Sequence, residues 1–483
     1  MKPNPRGVAV MRRCSFANWF LAIFCAGFLP VISASAAADS QAGGKELTPT
    51  EQWVVAQVAA GALPVNLATF SEDKRKLSEG FLEHLLMGEL PGFKPPRNRV
   101  FIFGAIIDGQ IFLPYVEIPF DVSLDKCQFN KTVNFFRANF TGGLSFRGSS
   151  FKQAAQFGSM KVRGDAVFDG ASFEGPAWVN FARAEIAGNF SAGATSFPHG
   201  AHFNSMKVGG DAGFDGALFE QQATFAQAEI AGNFRLGNVR FQNERTRASF
   251  YGMKVGGEAI FAEAVFEGPV DFRYANFATL DLSHVSWPKL TAPLQIQMQG
   301  MNYRYIRAVE DDEPNPQKAL LELAERWPYT AEVYTNLEAF FLRQSDRADA
   351  DRAFITGKCR ERKEYFAGRD WPNWLGSLLL YLLVGYGRHP LQAATLCAAL
   401  VALGCILFSP EKMEPQNPQD TPRVYSRFWY SLGLFLPFVD LQASKVWKPK
   451  VDRTCLRNYM RLHILLGWIL IPIVLAALTG IIK

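Results

Sequence analysis

Large apolar residues recur at alternating steps of five and six positions along the middle of the chain. In "FDGALFEQQATFAQAEIAGNF", residues 214–234, the residues Phe214, Phe219, Phe225 and Ile230 are separated by 5, 6 and 5 positions. An α-helix repeats about every 3.6 residues and a strand every two, so neither element alone produces this spacing. The pattern predicts short extended segments joined by corners, with one large apolar side chain of each segment pointing inward.

The spacing persists over most of the middle of the chain, with two short insertions, the second around "NERTRAS". The positions are Phe129, Phe135, Phe140, Phe146, Phe151, Phe157, Val162, Phe168, Phe173, Ile186, Ala192, Phe197, Phe203, Val208, Phe214, Phe219, Phe225, Ile230, Leu236, Phe241, Phe250, Val255, Phe261, Phe266, Phe272 and Phe277. The residue two positions earlier is often small, as at Cys127, Ala138, Ala171, Ala217, Ala264 and Ala275. Four segments would form a turn of about 22 residues, and turns stacked about 4.8 Å apart would give about eight turns.

A longer repeat overlies the short one. "MKVRGDAVFDGASF", "MKVGGDAGFDGALF" and "MKVGGEAIFAEAVF" begin at Met160, Met206 and Met253, and "AEIAGNF" begins at Ala184 and again at Ala228. Repetition at a fixed period is typical of a solenoid, whose units bury their apolar residues only by stacking. The chain has 42 Phe against 13 Tyr and 10 Trp, so a core of stacked Phe is expected. The sequence predicts a mainly β solenoid accompanied by helices.

The units "FRANF", "FDGASF", "FDGALF" and "FRYANF" resemble the pentapeptide-repeat family, in its divergent Phe-rich branch. The resemblance covers roughly residues 101–290, and the predicted repeat domain is 99–290. It implies a right-handed quadrilateral β-helix. It implies no shared activity, because members of this family do unrelated things.

Helical segments flank the repeats. Residues 45–98 are predicted to form an N-terminal helical cap, with Thr48 or Thr50 capping its first helix and Ser71 its second. Residues 291–370 are amphipathic and resemble the helical hairpin that follows the repeats in membrane-bound members of the family. The residues expected to pack between its two helices are Tyr334, Leu337, Phe340 and Phe341 against Ala348, Ala350 and Phe354.

Three apolar segments predict export and membrane insertion. Residues 1–37 read as a signal peptide, with an apolar run followed by the small-residue sequence "SASAAADS". An uncleaved anchor remains the alternative for this segment. Within a membrane region at 371–483, residues 391–408 and 464–482 are long enough to cross a bilayer as a hairpin. The Lys and Arg count then gives the orientation: residues 371–390 carry only Arg388, whereas residues 409–461 carry nine. This asymmetry places the loop in the cytoplasm and the repeats in the periplasm of a bacterial inner membrane.

Two motifs in this region could suggest an ion pathway. "VGYG", Val384 to Gly387, matches part of a potassium filter, but it precedes the first predicted span rather than lying between two spans. The short apolar segment between the spans gives the layout of a two-helix pore, to which the C-terminal part has a resemblance. Its filter position reads "LPFVDL" and offers only Asp440, which could form a charged ring in an oligomer.

The remaining chemistry-bearing residues form no recognisable site. His199 and His202 lack a third ligand, the seven Cys are scattered without a CxxC, and the glycines of "KVGGDAGFDG" do not open a helix. The abundant corner carboxylates are interpreted as solvated turn residues. We therefore predict no catalytic, cofactor-binding or metal-binding residues.

Charge excludes nucleic acid as a partner. The net charge is +5, and residues 101–290 carry 18 acidic and 16 basic residues, so this segment cannot mimic DNA. The expected function is a non-catalytic scaffold or interaction module in the inner membrane, whose partners are the lipid bilayer and an unidentified protein. It could form a homo-oligomer. The alternative is an ion-channel-like or transport-associated protein with a degenerate pore loop.

Overall fold

The computed structural model describes residues 47–90, 95, 98–288, 296–306, 321, 324–325, 329–417, 424–436, 438 and 443–478. The predicted signal peptide and Asp440 lie outside the described residues.

Helix α1 (Pro49–Ala59) opens the described chain, and its predicted cap is confirmed. The side chain of Thr48 accepts a hydrogen bond from the N–H of Glu51, and the Glu51 carboxylate accepts one from the N–H of Thr48. This carboxylate also accepts the N–H of Ser78 at 2.6 Å. Burial alone would raise the pKa of Glu51, but these hydrogen bonds outweigh it and lower the pKa. Helix α2 (Phe81–Met87) begins after Gly80, and Ser71 instead precedes a 3₁₀ turn, Glu72–Arg75.

Three parallel sheets form a β-solenoid of about nine turns. Sheet I has 17 strands, which are Val65–Asn66, Arg99–Phe103, Glu117–Ile118, Asp121–Asp125, Asn139–Phe140, Leu144–Ser145, Lys161–Val162, Ala166–Val167, Glu185–Ile186, Phe190–Ser191, Lys207–Val208, Ala212–Gly213, Glu229–Ile230, Phe234–Arg235, Lys254–Ile260, Asn276–Asp281 and Asn302–Ile306. Sheet II has nine, which are Lys76–Leu77, Ile106–Ile107, Gln128–Phe129, Ser150–Phe151, Ser172–Phe173, Ser196–Phe197, Leu218–Phe219, Arg240–Phe241 and Val265–Phe266. Sheet III has nine, which are Ile111–Phe112, Val133–Asn134, Ala155–Gln156, Val179–Asn180, Ala201–His202, Ala223–Thr224, Ala248–Ser249, Val270–Asp271 and Ile296–Gln297.

The register of these sheets matches the predicted turn length. Phe151 pairs with Phe129 on one side and with Phe173 on the other, 22 residues away in each direction. The first insertion lengthens one turn, so that Gln156 pairs with Asn180. Strands also lie outside the predicted repeat range, because Lys76–Leu77 and Ile296–Gln297 pair with the adjoining turns.

Two columns of parallel Phe rings run through the interior. The first is Phe129, Phe151, Phe173, Phe197, Phe219, Phe241 and Phe266, with ring centroids 4.7–5.3 Å apart and interplanar angles of 4–12°. The second is Phe135, Phe157, Phe181, Phe203, Phe225, Phe250 and Phe272, with centroids 4.8–6.2 Å apart. Every large apolar residue of the predicted series is 5% exposed or less. The predicted Phe core is therefore confirmed.

Several buried Phe residues of the solenoid lie outside the predicted series, among them Phe181, Phe190 and Phe234. Phe181 belongs to the second column, directly after the first insertion. Phe190 lies in register with Ala166 and Ala212, where a small residue is expected, while Ala192 occupies the position predicted to be large. Phe190 and Ala192 are both buried. In this turn the large side chain therefore fills the core from a position two residues earlier than in the neighbouring turns.

Cys127 occupies one of the small inward positions, as predicted, and is 1% exposed. Burial raises the pKa of the Cys127 thiol to about 12. Cys455, by contrast, is exposed to solvent.

Only the thiolate reacts, so we expect alkylation of Cys127 in the folded protein to be at least about a thousandfold slower than in the unfolded chain. Peptide mapping after a timed maleimide pulse measures this, with Cys455 as the readily labelled control. Rapid labelling of both thiols would contradict the burial of Cys127.

Two helices, α3 (Ala331–Arg343) and α4 (Arg347–Ala367), cover the last turns of the solenoid. The ring of Tyr303 contacts that of Phe340 at 5.2 Å, and the guanidinium of Arg343 donates to the carbonyl of Tyr303. The predicted apolar face of α3 is buried, as is Ala350 on α4. Ala348 is exposed, contrary to the prediction, and Ala353 is buried instead, one turn after Ala350.

The remaining elements are α5 (Trp371–Val384), a 3₁₀ turn (Gly385–Gly387), α6 (Pro390–Leu407), a 3₁₀ turn (Pro410–Lys412), the antiparallel strands Met413–Pro415 and Trp447–Pro449, α7 (Arg427–Phe435), α8 (Ala443–Val446) and α9 (Thr454–Leu478). Among the described residues, Thr454–Ala476 is long and apolar enough to cross a membrane by itself. Residues 391–407 meet the requirement only together with α5, and this pair is bent by 113°. Length and composition therefore support one candidate span among the described residues, or two if the bent pair acts as a single span.

Candidate functional site

The outer side of sheet I carries alternating charges that pair with one another. Lys161 pairs with Glu185 at 2.9 Å, and Glu229 pairs with Lys207 at 3.7 Å and with Lys254 at 2.9 Å. The hydrogen bond and positive charge of Lys254 lower the pKa of Glu229. Exposed pairs of this kind contribute about 0–1 kcal/mol each. The side chains of this charged face are therefore largely paired with one another.

The corner carboxylates are solvent-accessible turn residues, as predicted, and they also connect successive turns through hydrogen bonds. The carboxylate of Asp165 accepts a hydrogen bond from the backbone N–H of Asn189 in the next turn at 2.7 Å. The side-chain oxygen of Asn189 accepts one from the backbone N–H of Asp211 at 2.9 Å. Asp211 in turn accepts the N–H of Asn233 at 2.8 Å. A carboxylate that accepts a backbone donor satisfies a group that the corner would otherwise leave unpaired. These residues are structural and do not converge on a pocket.

Sheet III presents a different surface, which we call the aromatic face. It consists of the exposed side chains of Phe112, Tyr115, Trp178 and Tyr274, each within three residues of a sheet III strand. Between them the outward positions of the strands are polar and uncharged over six turns, namely Asn134, Gln156, Asn180, His202, Thr224 and Ser249. Exposed aromatic rings, here with the Arg137 guanidinium over the ring of Tyr115, are enriched in protein-binding sites.

Trp178 and His202 form the centre of the aromatic face. Their ring centroids are 4.2 Å apart, and Trp178 remains 53% exposed although it covers the imidazole. The Nε2 atom of His202 is buried and has no hydrogen-bond partner among the described residues. Burial lowers the pKa of His202, which favours the neutral imidazole. His199 is exposed on the preceding corner, and the described residues contain no group of three potential metal ligands.

Arg388 connects the helical cap to the membrane region. Its guanidinium forms ion pairs with Glu338 on α3 and with Asp351 on α4, the latter at 3.0 Å, and lies over the ring of Phe354. All three charged side chains are mostly buried. Removing one partner of such a cluster would leave a poorly solvated charge, so the cluster holds the two regions in one arrangement.

The "VGYG" segment forms a tight turn between α5 and α6. Gly385, Tyr386 and Gly387 all have positive φ angles, and the Tyr386 side chain is buried. Its hydroxyl accepts from the guanidinium of Arg362 and lies 2.9 Å from the hydroxyl of Ser377. A filter needs backbone carbonyls lining a central axis, whereas here the buried tyrosine fixes a bend.

A polar cluster that no sequence motif indicated lies inside the predicted membrane region. His463 on α9 is fully buried, with Nε2 3.2 Å from the Ser431 hydroxyl on α7 and Nδ1 3.3 Å from the Tyr459 hydroxyl. Ser431 also donates to the carbonyl of Val401 on α6 at 2.8 Å. The available signal was a histidine within an apolar helix, which is rare in membrane spans and usually functional. The cluster joins three helices through hydrogen bonds.

Glycines allow the three helices to approach this closely. A Cβ at Gly404 on α6 would overlap the Ser431 hydroxyl, and one at Gly467 on α9 would overlap the carbonyl oxygen of Phe435. Small residues at such contacts are typical of helix packing in membranes.

Comparison of the chain with known protein families, with curated proteins and with solved structures found no match.

Proposed function

We propose that this chain is a membrane-anchored, non-catalytic scaffold whose solenoid is the right-handed quadrilateral β-helix of the pentapeptide-repeat family. The period of 22 residues and the columns of stacked Phe support the family and the four-sided cross-section. The inward pair of a small and a large residue, as at Ala138 and Phe140 or at Ala217 and Phe219, supports it further. The candidate span and the apolar α5 and α6 support the anchor.

The aromatic face carries the proposal of a scaffold. A partner protein would bury Trp178 and Phe112, which together with Tyr115 and Tyr274 supply the large apolar contacts that dominate protein interfaces. The Arg388 cluster would hold this surface in a fixed position relative to the bilayer. The charged face on sheet I is internally paired, so it serves as the reference surface.

A photo-crosslinking amino acid at position 178 tests this assignment in intact cells. We expect irradiation to give a discrete adduct with a partner protein at position 178 and none at position 207, an exposed position on the charged face. The reason is that a bound partner excludes water from the aromatic face alone. Adducts of equal yield at both positions, or none at position 178, would contradict the assignment.

The proposed location is the bacterial inner membrane with the repeats in the periplasm. The contrast of one basic residue before α6 and nine after it supports this orientation. It requires the bent pair α5–α6 to act as the first crossing, because α6 alone, with 18 residues, spans about 27 Å against a hydrocarbon core of about 30 Å.

Reporter fusions test the orientation. Alkaline phosphatase becomes active only outside the cytoplasm. We therefore expect the enzyme fused after residue 300 to be active and the enzyme fused after residue 445 to be inactive. A cytoplasmic fluorescent reporter should show the opposite pattern. Reversal of both patterns would refute the periplasmic placement while leaving the solenoid untouched.

An ion-conducting function is the second candidate, and the packing of α7 between α6 and α9 favours it. This short helix reaches the buried His463 through Ser431, as a pore helix between two spans would. Conductance of the reconstituted chain that changes in His463→Gln would support this function over a passive anchor.

A further inference from the structure

A cleft of about 520 Å³ opens beside the first turn of the candidate membrane span. One wall is apolar and consists of Leu407 at the end of α6 and Leu456 and Tyr459 on α9. The cationic residues Lys412 and Arg453 also line the cleft. The cleft therefore combines a hydrocarbon surface with two cations at the end of a membrane helix.

Backbone hydrogen bonds position the main chain that carries the two cations. The N–H of Lys450 donates to the carbonyl of Lys412 at 3.0 Å, and the N–H of Arg453 donates to the carbonyl of Lys450 at 3.1 Å. The antiparallel strands Met413–Pro415 and Trp447–Pro449 lie directly between these points and connect them. The main chain at Lys412 and at Arg453 is thus fixed by the fold, although the two residues are 41 positions apart in the chain.

The carboxylate of Asp452 also lines the cleft and only partly offsets its positive charge. It lies 3.6 Å from the Arg453 guanidinium, and both side chains are more than half exposed. Among the described residues no carboxylate forms an ion pair with Lys412. The cleft retains a net positive charge next to a membrane-facing helix, whose Leu462 and Leu465 side chains are exposed.

We propose that this cleft binds a phosphate group, with the headgroup of an anionic phospholipid as its source. A phosphate oxygen would accept from Lys412 and Arg453, while an acyl chain would lie on Leu407 and Leu456 and continue along the exposed side of α9. Free phosphate could also accept hydrogen bonds from Lys412 and Arg453, but it would leave the apolar residues of the cleft uncovered. The inference rests on the membrane insertion proposed above.

The test uses the full chain in nanodiscs of phosphatidylcholine with and without cardiolipin, followed by native mass spectrometry of retained lipid. We expect Lys412→Gln combined with Arg453→Gln to lower cardiolipin retention about tenfold or more. Lys448→Gln combined with Lys450→Gln is the matched control, because it removes two charges from the same loop outside the cleft. Lys412→Arg combined with Arg453→Lys should retain the lipid, which separates loss of charge from misfolding.

The other possible outcomes of this experiment would overturn the proposal or the premise on which it rests. Equal losses in the cleft variant and in the control would overturn the proposal in favour of general surface attraction, as would full retention in the cleft variant. An added arm with inorganic phosphate should displace little cardiolipin, and complete displacement would make free phosphate the occupant and overturn the lipid assignment. Failure of the chain to enter nanodiscs at all would instead refute the proposed membrane insertion.

Discussion

Phe203→Ala should lower the free energy of unfolding of the solenoid by about 3–5 kcal/mol, because it opens a cavity that neighbouring turns cannot close. The Phe203 ring is stacked between those of Phe181 at 5.2 Å and Phe225 at 4.8 Å, and it meets Phe214 edge-on at 5.0 Å. Moving either stacked ring into the space would break its own contacts one turn further on. Urea titration of the full chain, followed by circular dichroism of the β signal, measures the loss.

The matched control is Phe112→Ala, which removes the same atoms from a ring that is 55% exposed on the aromatic face. Its effect on stability should be within about 0.5 kcal/mol, as for other surface substitutions. Equal destabilisation by the two variants would show that ring burial is not what holds the solenoid together.

Phe203 lies near the middle of the solenoid, so limited proteolysis of the variant provides a second measurement. Each turn contacts only its two neighbours, so a weakened turn separates the array into two shorter arrays. The outer ends of these arrays remain covered, by α1 and α2 on one side and by α3 and α4 on the other. Limited proteolysis of Phe203→Ala should therefore cut first near the altered turn and leave two protected fragments.

Periodicity predicted most of the core because one structural slot is repeated. At Phe151 or Phe219, the position in the five-and-six series determines burial without any reference to the rest of the chain. The prediction missed Phe190, which supplies the large side chain of a turn whose predicted inward position holds the small Ala192. A spacing rule records position but not the volume that a turn needs, so it could not detect this difference.

The candidate sites were harder to predict because they depend on long-range contacts. Arg388 looked like a lone charge that set the membrane orientation, yet it pairs with carboxylates on two other helices. His463 looked dispersed, since Ser431 lies 32 positions away. The aromatic face also escaped notice, because Phe112 and Trp178 share a side of the solenoid only after three turns of winding. Such contacts have no period along the chain.

Gly467→Ala should destabilise the membrane region by about 1–3 kcal/mol, the usual cost of overpacking. The added methyl group would overlap the carbonyl oxygen of Phe435, a backbone atom that cannot rotate away, so α7 must move from α9. Gly376→Ala on α5 is the matched control, because its methyl group meets no atom within 4 Å. The control should be neutral or slightly stabilising, since Ala favours helix more than Gly. Thermal unfolding of both variants in the same detergent compares them.

The same pair of variants separates the two proposed functions. Displacement of α7 would pull Ser431 away from His463, because both contacts lie on the facing sides of α7 and α9. In a passive anchor this change lowers thermal stability but leaves the photo-crosslink at position 178 intact, since the solenoid is not involved. In a conducting protein the same displacement alters the pathway, so conductance should change in Gly467→Ala at temperatures where the protein is still folded. Identical conductance and identical melting of Gly467→Ala and Gly376→Ala would show that the close contact between α7 and α9 does not exist.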